Sequence, residues 1–154
     1  MIYEPFQRAT LPSNFTYDLI FTSPPFYNFE IYTNDANQSA IEYDNFADWL
    51  VYFLFFSIYK SWLLLDIDGY FVIYISDTKQ VAFCEVTNLF MQCMPNAMYC
   101  GVISSVNKGN VHRPTWIWKK KALVDDKRRE MAINFLKTNH MDIYNKAKKE
   151  FVFL

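Results

Sequence analysis

The fold of this chain is constrained most by two short apolar runs, each of which ends abruptly. Residues 17–23 read YDLIFTS and stop at Pro24 and Pro25, and residues 70–76 read YFVIYIS. Neither run alternates between apolar and polar residues, which indicates strands that are buried on both faces, as in a parallel sheet. A proline pair cannot donate to a strand ladder, so the first strand must end there.

A helix is predicted between these two strands. Asn45 can cap it, with Asp48 three residues later in a capping-box arrangement, and the helix then runs to about Leu65. Apolar residues fall on nearly its whole circumference, which is typical of a helix that is buried on all sides. Asp68 and Gly69 are predicted to form the turn into the second strand.

The rest of the chain continues the alternation of helix and strand. Asp77 and Gln80 form a second capping-box pattern, which predicts a helix that ends near Pro95. Two further strands, joined as a hairpin, and one charged helix follow; they are predicted at residues 97–106, 115–119 and 125–150. Strands that alternate with helices and close with an antiparallel pair predict an α/β sheet.

Composition points to a partner chain in a reducing compartment. Aromatic residues make up 19% of the 154 residues. Because a domain of this size has limited interior for so much apolar area, another chain is expected to cover part of it. The three cysteines show no C-x-x-C spacing and are interpreted as apolar core residues. No signal peptide opens the sequence, so the cytoplasm or nucleus is expected and secretion is not.

Residues 49–65 are apolar enough to be weighed as a membrane span. Lys60 interrupts the run, however, and Asp48, Asp66 and Asp68 bracket it. These charges favour a buried helix, and no contact with a membrane is expected.

The segment Thr22-Ser23-Pro24-Pro25-Phe26 carries the clearest chemical signal. It follows a strand at its carboxyl end, where open α/β sheets place their ligand crevices. The two prolines fix the directions of the Ser23 hydroxyl and the neighbouring carbonyl groups, and an aromatic ring lies next to them. Hydrogen-bond acceptors beside a flat ring suit a planar ligand that bears an exocyclic amino group.

The stretch D-L-I-F-T-S-P-P-F resembles the [DNS]-P-P-[YFW] catalytic motif of S-adenosylmethionine-dependent methyltransferases that act on amino groups of adenine or cytosine in DNA. It is similar to methyltransferase-like proteins of large DNA viruses and phages, and later elements match in order to about residue 120. The resemblance implies the C-terminal part of a class I methyltransferase-like, Rossmann-like sheet over residues 1–122. Residues 123–154 would then be a charged helical extension.

The resemblance also implies roles for the matching positions. Ser23 and the carbonyl group of Pro24 would accept hydrogen bonds from the target amino group, within a corner that Pro25 holds rigid. Phe26 would stack on a base that is flipped out of the DNA helix. The stretch after the motif supplies expected substrate-binding residues, which are Tyr27, Glu30 and Tyr32. No metal is implied.

The chain departs from this family where the methyl donor would bind. The family's donor pocket needs a strand followed by a glycine turn that resembles F-x-G-x-G. Gly69, Gly101 and Gly109 are the only glycines here, and none is predicted to end a strand and open a helix. We therefore expect no cofactor on this chain alone, and S-adenosylmethionine only if a partner supplies the pocket.

The missing strands would leave the strand at residues 17–23 at the edge of the sheet. An apolar edge strand is an aggregation hazard, so we expect the amino-terminal arm, a second copy or a different subunit to pair with it. The helix that is apolar on all sides points to the same need for a partner.

Three functions are compatible with these features. The first is a methyltransferase-like protein without the donor-binding half, used for binding, for assembly or as a structural part of a virus particle. The second is a DNA amino-methyltransferase completed by a partner subunit or a missing segment. The third is a nucleic-acid-binding module, in which Lys119, Lys120 and Lys121 contact DNA, since residues 119–150 carry ten Lys/Arg against five Asp/Glu.

Overall fold

The apolar run before the proline pair forms the first strand of a four-stranded mixed sheet. The computed structural model describes residues 4–11, 15–30, 38–43, 45–79, 81–106, 109, 112–123 and 126–154. The strands are β1 (Tyr17–Thr22), β2 (Leu65–Tyr74), β3 (Ala97–Val106) and β4 (His112–Lys120). Their order in the sheet is β1-β2-β4-β3. β1 is parallel to β2, and β4 is antiparallel to both of its neighbours, so the predicted α/β class is confirmed.

Helices connect and follow these strands. After a short 3-10 turn at Tyr27–Phe29 come α1 (Ser39–Glu42) and α2, which consists of α-helical Phe46–Asp48, π-helical Trp49–Phe55 and α-helical Phe56–Leu63. The later helices are α3 (Phe83–Cys93), α4 (Asp126–Asn139) and α5 (Met141–Glu150). No helix in the described part of the chain is long and apolar enough to cross a membrane.

Helix α2 begins as predicted, because the side chain of Asn45 accepts a hydrogen bond from the backbone N–H of Asp48 at 3.0 Å. The Asp48 carboxylate in turn accepts from Lys146 of α5 at 2.5 Å. The contact ties the start of α2 to the last helix, and it lowers the pKa of Asp48. The capping pattern at residue 45 correctly predicts where α2 starts.

The expected turn at Asp68 and Gly69 is wrong, because both residues lie inside β2. Tyr17 pairs with Leu65 and Leu19 pairs with Tyr70, so the intervening residues of β2 form a wide bulge. Asp68 adopts a left-handed conformation with φ of 67°. A Cβ atom at residue 69 would stand 3.0 Å from the backbone carbonyl oxygen of Asp66 and from side-chain atoms of Leu65, which is tighter than a side chain normally packs.

Two helix boundaries also differ from the predicted ones. Helix α3 begins at Phe83, six residues after Asp77, although the Asp77 carboxylate still accepts a hydrogen bond from the backbone N–H of Cys84 at 2.8 Å. The capping partner expected at Gln80 lies outside the described residues. The single helix predicted over residues 125–150 is two helices, because His140 has a non-helical backbone between α4 and α5.

One face of the sheet carries the hydrophobic core. The strand register places Ile20, Phe71 and Trp118 in one row across β1, β2 and β4, and Phe71 and Trp118 are fully buried. Helix α2 packs on this side with Trp49, Leu50, Val51, Leu54 and Phe55 all buried. The prediction of burial on all sides therefore holds for the first half of α2, whereas Leu63 at its end is 59% exposed.

The chain's own C-terminus covers part of α2, the helix for which the sequence pointed to a partner. Phe151 packs on Phe56 and Phe90 with ring centroids 5.0 Å from each. Phe153 lies 5.4 Å from Tyr59. The break at His140 lets α5 turn back across α2, and the helical residues after 126 therefore share one core with the sheet.

The opposite face of the sheet has no covering layer among the described residues. Leu19, Tyr70, Lys119 and Met98 form one row across it, and Phe21, Val72 and Ile117 form the next. Leu19 is 60% exposed and Phe21 is 63% exposed. We call this apolar surface the bare face. It is unusual, because strands with apolar residues on both sides are normally covered on both sides.

Replacing Phe151 by alanine should cost about 3–5 kcal/mol of unfolding free energy, because the truncation leaves a cavity beside Phe56 and Phe90. Val152 is 98% exposed, so Val152→Ala should change the unfolding free energy by less than about 0.5 kcal/mol. Urea unfolding of both variants measures the difference. Equal stabilities would contradict a C-terminus that belongs to the core.

Candidate functional site

The Ser-Pro-Pro corner lies directly after β1, at the carboxyl end of the strand. Ser23 is exposed and Pro24 is buried, and no peptide bond in the described residues is cis. The Ser23 hydroxyl has no hydrogen-bond partner in the described part of the chain. Ser23 is therefore accessible to a ligand, next to a buried proline.

Phe26 does not share the exposure of Ser23. Its side chain is only 7% exposed, and its ring makes edge contacts with Tyr74 at 6.0 Å and Phe83 at 5.7 Å. This aromatic ring joins the corner to β2 and α3. In this arrangement Phe26 packs in the core, and stacking on a nucleobase would require the ring to leave these contacts.

Tyr27 is held in a strained backbone conformation. Its φ of 39° lies in the left-handed region, which a tyrosine rarely adopts. The ring contacts Phe46 and Trp49, each at 5.6 Å between centroids. Trp49 opens the π-helical segment of α2, so the unusual helix and the strained residue support each other beside the corner.

Glu30 and Tyr32, the other expected substrate-binding residues, are less well placed by the structure. The backbone carbonyl group of Glu30 accepts a hydrogen bond from Gln38 at 3.5 Å, and its side chain is half-buried. Tyr32 lies outside the described residues. The backbone of Glu30 is therefore joined to Gln38 at the start of α1.

Asp77 and Cys84 lie past the carboxyl end of β2, next to the strand that carries the corner. The Cys84 thiol donates to the carbonyl group of Ile75 at 3.4 Å. Burial, and then the charge of Asp77, raises the pKa of Cys84 to about 12. A thiol with so high a pKa is a poor nucleophile at neutral pH, and capping accounts for Asp77.

The donor pocket of the resembled family needs a strand and a glycine turn beside the Ser-Pro-Pro corner. On the open side of β1, no strand and no glycine turn of the described chain stands beside Ser23. Gly69 lies in the β2 bulge and Gly101 lies in β3, so neither opens a helix. In the described part of the chain, no group of three His, Cys, Asp or Glu side chains is arranged to hold a metal ion.

The three lysines predicted to contact nucleic acid lie at the other end of the sheet from Ser23. Thr22 pairs with Ile73, whereas Lys119 pairs with Tyr70 nearer the start of β2. Lys119 and Lys121 contact the Asp68 carboxylate at 3.1 and 2.5 Å, and these contacts lower the pKa of Asp68.

Lys120 has a different environment from its two neighbours. Its ammonium group donates to the carbonyl groups of Trp62 at 2.9 Å and Leu65 at 2.7 Å, where α2 ends and β2 begins. Burial lowers the pKa of Lys120. The three lysines therefore lie apart from the Ser-Pro-Pro corner and do not form one continuous surface with it.

A groove that the sequence does not predict lies between α3, α4 and β3. It has a volume of about 720 Å³, and its aromatic lining consists of Tyr99, Trp116, Trp118 and Phe135. Alternation on a strand favours core packing for both tryptophans; Trp118 is buried, but Trp116 is half-buried and lines the groove. The alternation of Trp116 and Trp118 was the sequence signal that could have indicated the groove, since it puts two large rings on one face of the sheet.

The charged helical stretch supplies the other wall of this groove. Its sequence pattern predicts a partial apolar stripe that consists of Met131, Phe135 and Leu136. Only Leu136 of the three is buried, whereas Met131 and Phe135 are exposed and line the groove.

Comparison of the chain with protein-family models, with curated proteins and with solved structures gives no match. The function of the chain is therefore inferred from its own geometry.

Replacing Lys120 by methionine should lower the unfolding free energy by about 1–3 kcal/mol, because two partly buried carbonyl groups lose a charged donor. Lys121→Met removes only an exposed ion pair and should leave the unfolding free energy close to that of the parent chain. Chemical unfolding of both variants gives the comparison. A Lys120 variant as stable as the Lys121 variant would show that Lys120 has no structural role.

Proposed function

We propose that the chain is a methyltransferase-like protein that lacks the donor-binding half and serves as a non-catalytic binding or assembly component. The observation that carries this proposal is the bare face, together with the free edge of β1. Leu19 and Phe21 are exposed where two-sided apolar strands are normally covered. An apolar surface of this kind marks a protein–protein interaction site.

The strand order supports the methyltransferase-like part of the proposal. The last strand, β4, is inserted antiparallel between β2 and β3. The class I methyltransferase-like sheet that the resemblance implies also ends in an antiparallel hairpin. The Ser-Pro-Pro corner also follows the outermost parallel strand, at the carboxyl end, which is where the family resemblance would put it.

The handedness of α/β connections indicates what kind of partner covers both the free edge and the bare face. Crossovers between parallel strands are right-handed, and here the helices lie on one side of the sheet. From β1 to β2 the chain progresses across the sheet in one direction. If further parallel strands extend the sheet from β1 in the opposite direction, right-handed crossovers place their connecting helices on the other side of the sheet, which is the bare face. A partner that continues the sheet in this way covers edge and face together.

A second copy of this chain meets the requirement less well. Two copies related by a two-fold axis can pair edge to edge, which leaves both bare faces uncovered. They can instead pack face to face, which leaves both β1 edges free. A different α/β polypeptide with a free parallel strand is therefore the partner that this geometry favours.

The second candidate is a DNA amino-methyltransferase that such a partner completes. The position of Ser23 favours it, because the hydroxyl is exposed at the carboxyl end of β1, beside the free edge. If the partner's strands extend the sheet outward, the strand order reverses next to β1, and open α/β sheets bind ligands at such a switch point. Ser23 and the carbonyl group of Pro24 would then face a donor held by the partner.

Calorimetric titration with S-adenosylmethionine distinguishes the two candidates. We expect no binding at micromolar concentrations to the chain alone, because no described element on the open side of β1 can hold the donor. Binding that arises only in a complex with a partner would favour the split enzyme, and a complex that still does not bind would favour the assembly component. Tight binding by the isolated chain would refute both.

Substitution of Leu19 and Phe21 by lysine tests whether the bare face is an exposed apolar surface. The double variant Leu19→Lys, Phe21→Lys should bind less of the apolar dye 8-anilinonaphthalene sulfonate and aggregate less, because it places two charges on exposed apolar positions. Its melting temperature should stay close to that of the parent chain. The matched control is Leu123→Lys, since Leu123 is 90% exposed but lies outside the sheet; a double variant that unfolds would show that these residues are packed.

A further inference from the structure

The groove between α3, α4 and β3 is a second open surface, at the edge of the sheet opposite β1. Tyr99, Trp116 and Phe135 give it aromatic walls, and Met98 and Met131 give it flexible apolar ones. Its volume of about 720 Å³ is in the range of ligand-binding clefts. Of these residues only Met98 also belongs to the bare face, and binding in the groove does not rest on the methyltransferase-like proposal.

The charge of the groove indicates whether its ligand is a protein segment or a nucleic acid. Its charged lining residues are Glu85, Asp126, Arg128 and Arg129, two of each sign. Arg129 is already engaged, because it donates to the carbonyl groups of Cys93 and Phe153. A groove without an excess of positive charge does not attract a polyanion, and this favours an uncharged ligand.

Polar groups in the groove match the backbone of a peptide. Asn88, Gln92 and Asn96 are among its lining residues, and a carboxamide group can both donate and accept, although that of Asn88 already donates to the carbonyl group of Cys84 at 2.8 Å. Methionine and aromatic side chains are typical of surfaces that accommodate the apolar side chains of protein segments. These residue types together indicate recognition of an extended polypeptide.

The dimensions and the edge strand agree with this ligand. Along α3 the groove runs from Cys84 to Gln92, which is about 12 Å at the helical rise and equals about four residues of an extended strand. Ala97, Met98 and Tyr99 of β3 line it. No described strand pairs with the outer side of β3, so its backbone is available for strand addition.

The bulge in β3 sets one end of the site. The pairing with β4 shifts between Tyr99 and Gly101, and Gly101 has φ of 134°, which side-chain-bearing residues rarely adopt. Regular pairing along the outer edge therefore stops after Tyr99. The bulge limits strand addition to the part of β3 that borders the aromatic walls.

We propose that this groove binds a short extended segment of a partner protein that carries aromatic or large aliphatic side chains at alternate positions. Alternate side chains of a strand point to the same side. One set enters the space between Trp116, Tyr99 and Phe135, while the backbone pairs with β3 and the carboxamides. The segment lies at the far edge of the sheet from β1, so it can bind at the same time as a partner on the bare face.

The test uses a library of random 12-residue peptides displayed on phage, selected on the full chain. Clones that also bind Phe135→Asp are removed, and the remaining peptides are synthesised and titrated by calorimetry. We expect selected sequences with apolar residues at alternate positions. Phe135→Asp and Met131→Asp should each weaken binding by about tenfold or more, because a charge replaces an apolar contact in the groove.

The matched control is Val152→Asp, which introduces the same charge at a fully exposed apolar position outside the groove and should bind within about twofold of the parent chain. Phe135 and Met131 are themselves exposed, so thermal unfolding should show intact folding in all three variants. The proposal is overturned if no clone distinguishes the parent chain from Phe135→Asp. It is also overturned if a twelve-nucleotide oligothymidylate, but no peptide, binds in a way that Phe135→Asp abolishes.

Discussion

The burial of helix α2 is the constraint on which the rest of the structure depends. Trp49, Leu50, Val51 and Phe55 are fully buried on one short stretch of this helix, and apolar side chains follow on nearly every side. A helix of this kind needs cover all round. The sheet supplies one side, α3 supplies another through the stacked rings of Phe55 and Phe90, 4.0 Å apart, and the C-terminal residues supply the rest.

The π-helical segment of α2 connects this core to the Ser-Pro-Pro corner. Trp49, at the start of the segment, contacts Tyr27, Phe46, Phe53 and Phe83. The strained backbone of Tyr27 and the buried ring of Phe26 depend on this aromatic cluster. The core therefore holds the residues that follow the corner, and Ser23 is the exposed group that the cluster leaves outside.

Because all the described helices lie on one side of the sheet, the two faces of the sheet differ. The need to cover α2 draws α3 and both C-terminal helices to the same side of the sheet. Nothing is left in the described chain to cover Leu19 and Phe21 on the other side. The bare face and the free edge of β1 follow from this one-sided arrangement, and so does the open groove beyond β3, where α4 packs on α3 without closing over the strand.

Local sequence signals predicted much of this fold. The apolar run before Pro24 specified β1, the Asn45 cap specified the start of α2, and the apolar residues of 97–106 specified β3 at its observed bounds. These signals succeed because strand composition, proline and helix capping act over a few residues. The Ser-Pro-Pro corner was visible for the same reason.

Only the tertiary structure decided which surfaces are covered. In the sequence, His140 does not differ from other polar residues of a charged helical stretch. In the structure, the helix breaks there, so α5 turns back and Phe151 reaches Phe90. The exposure of Phe135 and the burial of Phe26 depend on elements far apart in the chain. By itself, the sequence determined where most strands and helices form, since neighbouring residues decide that, but not the start of β2 or the break at His140. The assembly of distant helices on one side of the sheet decided which apolar residues remain for a partner.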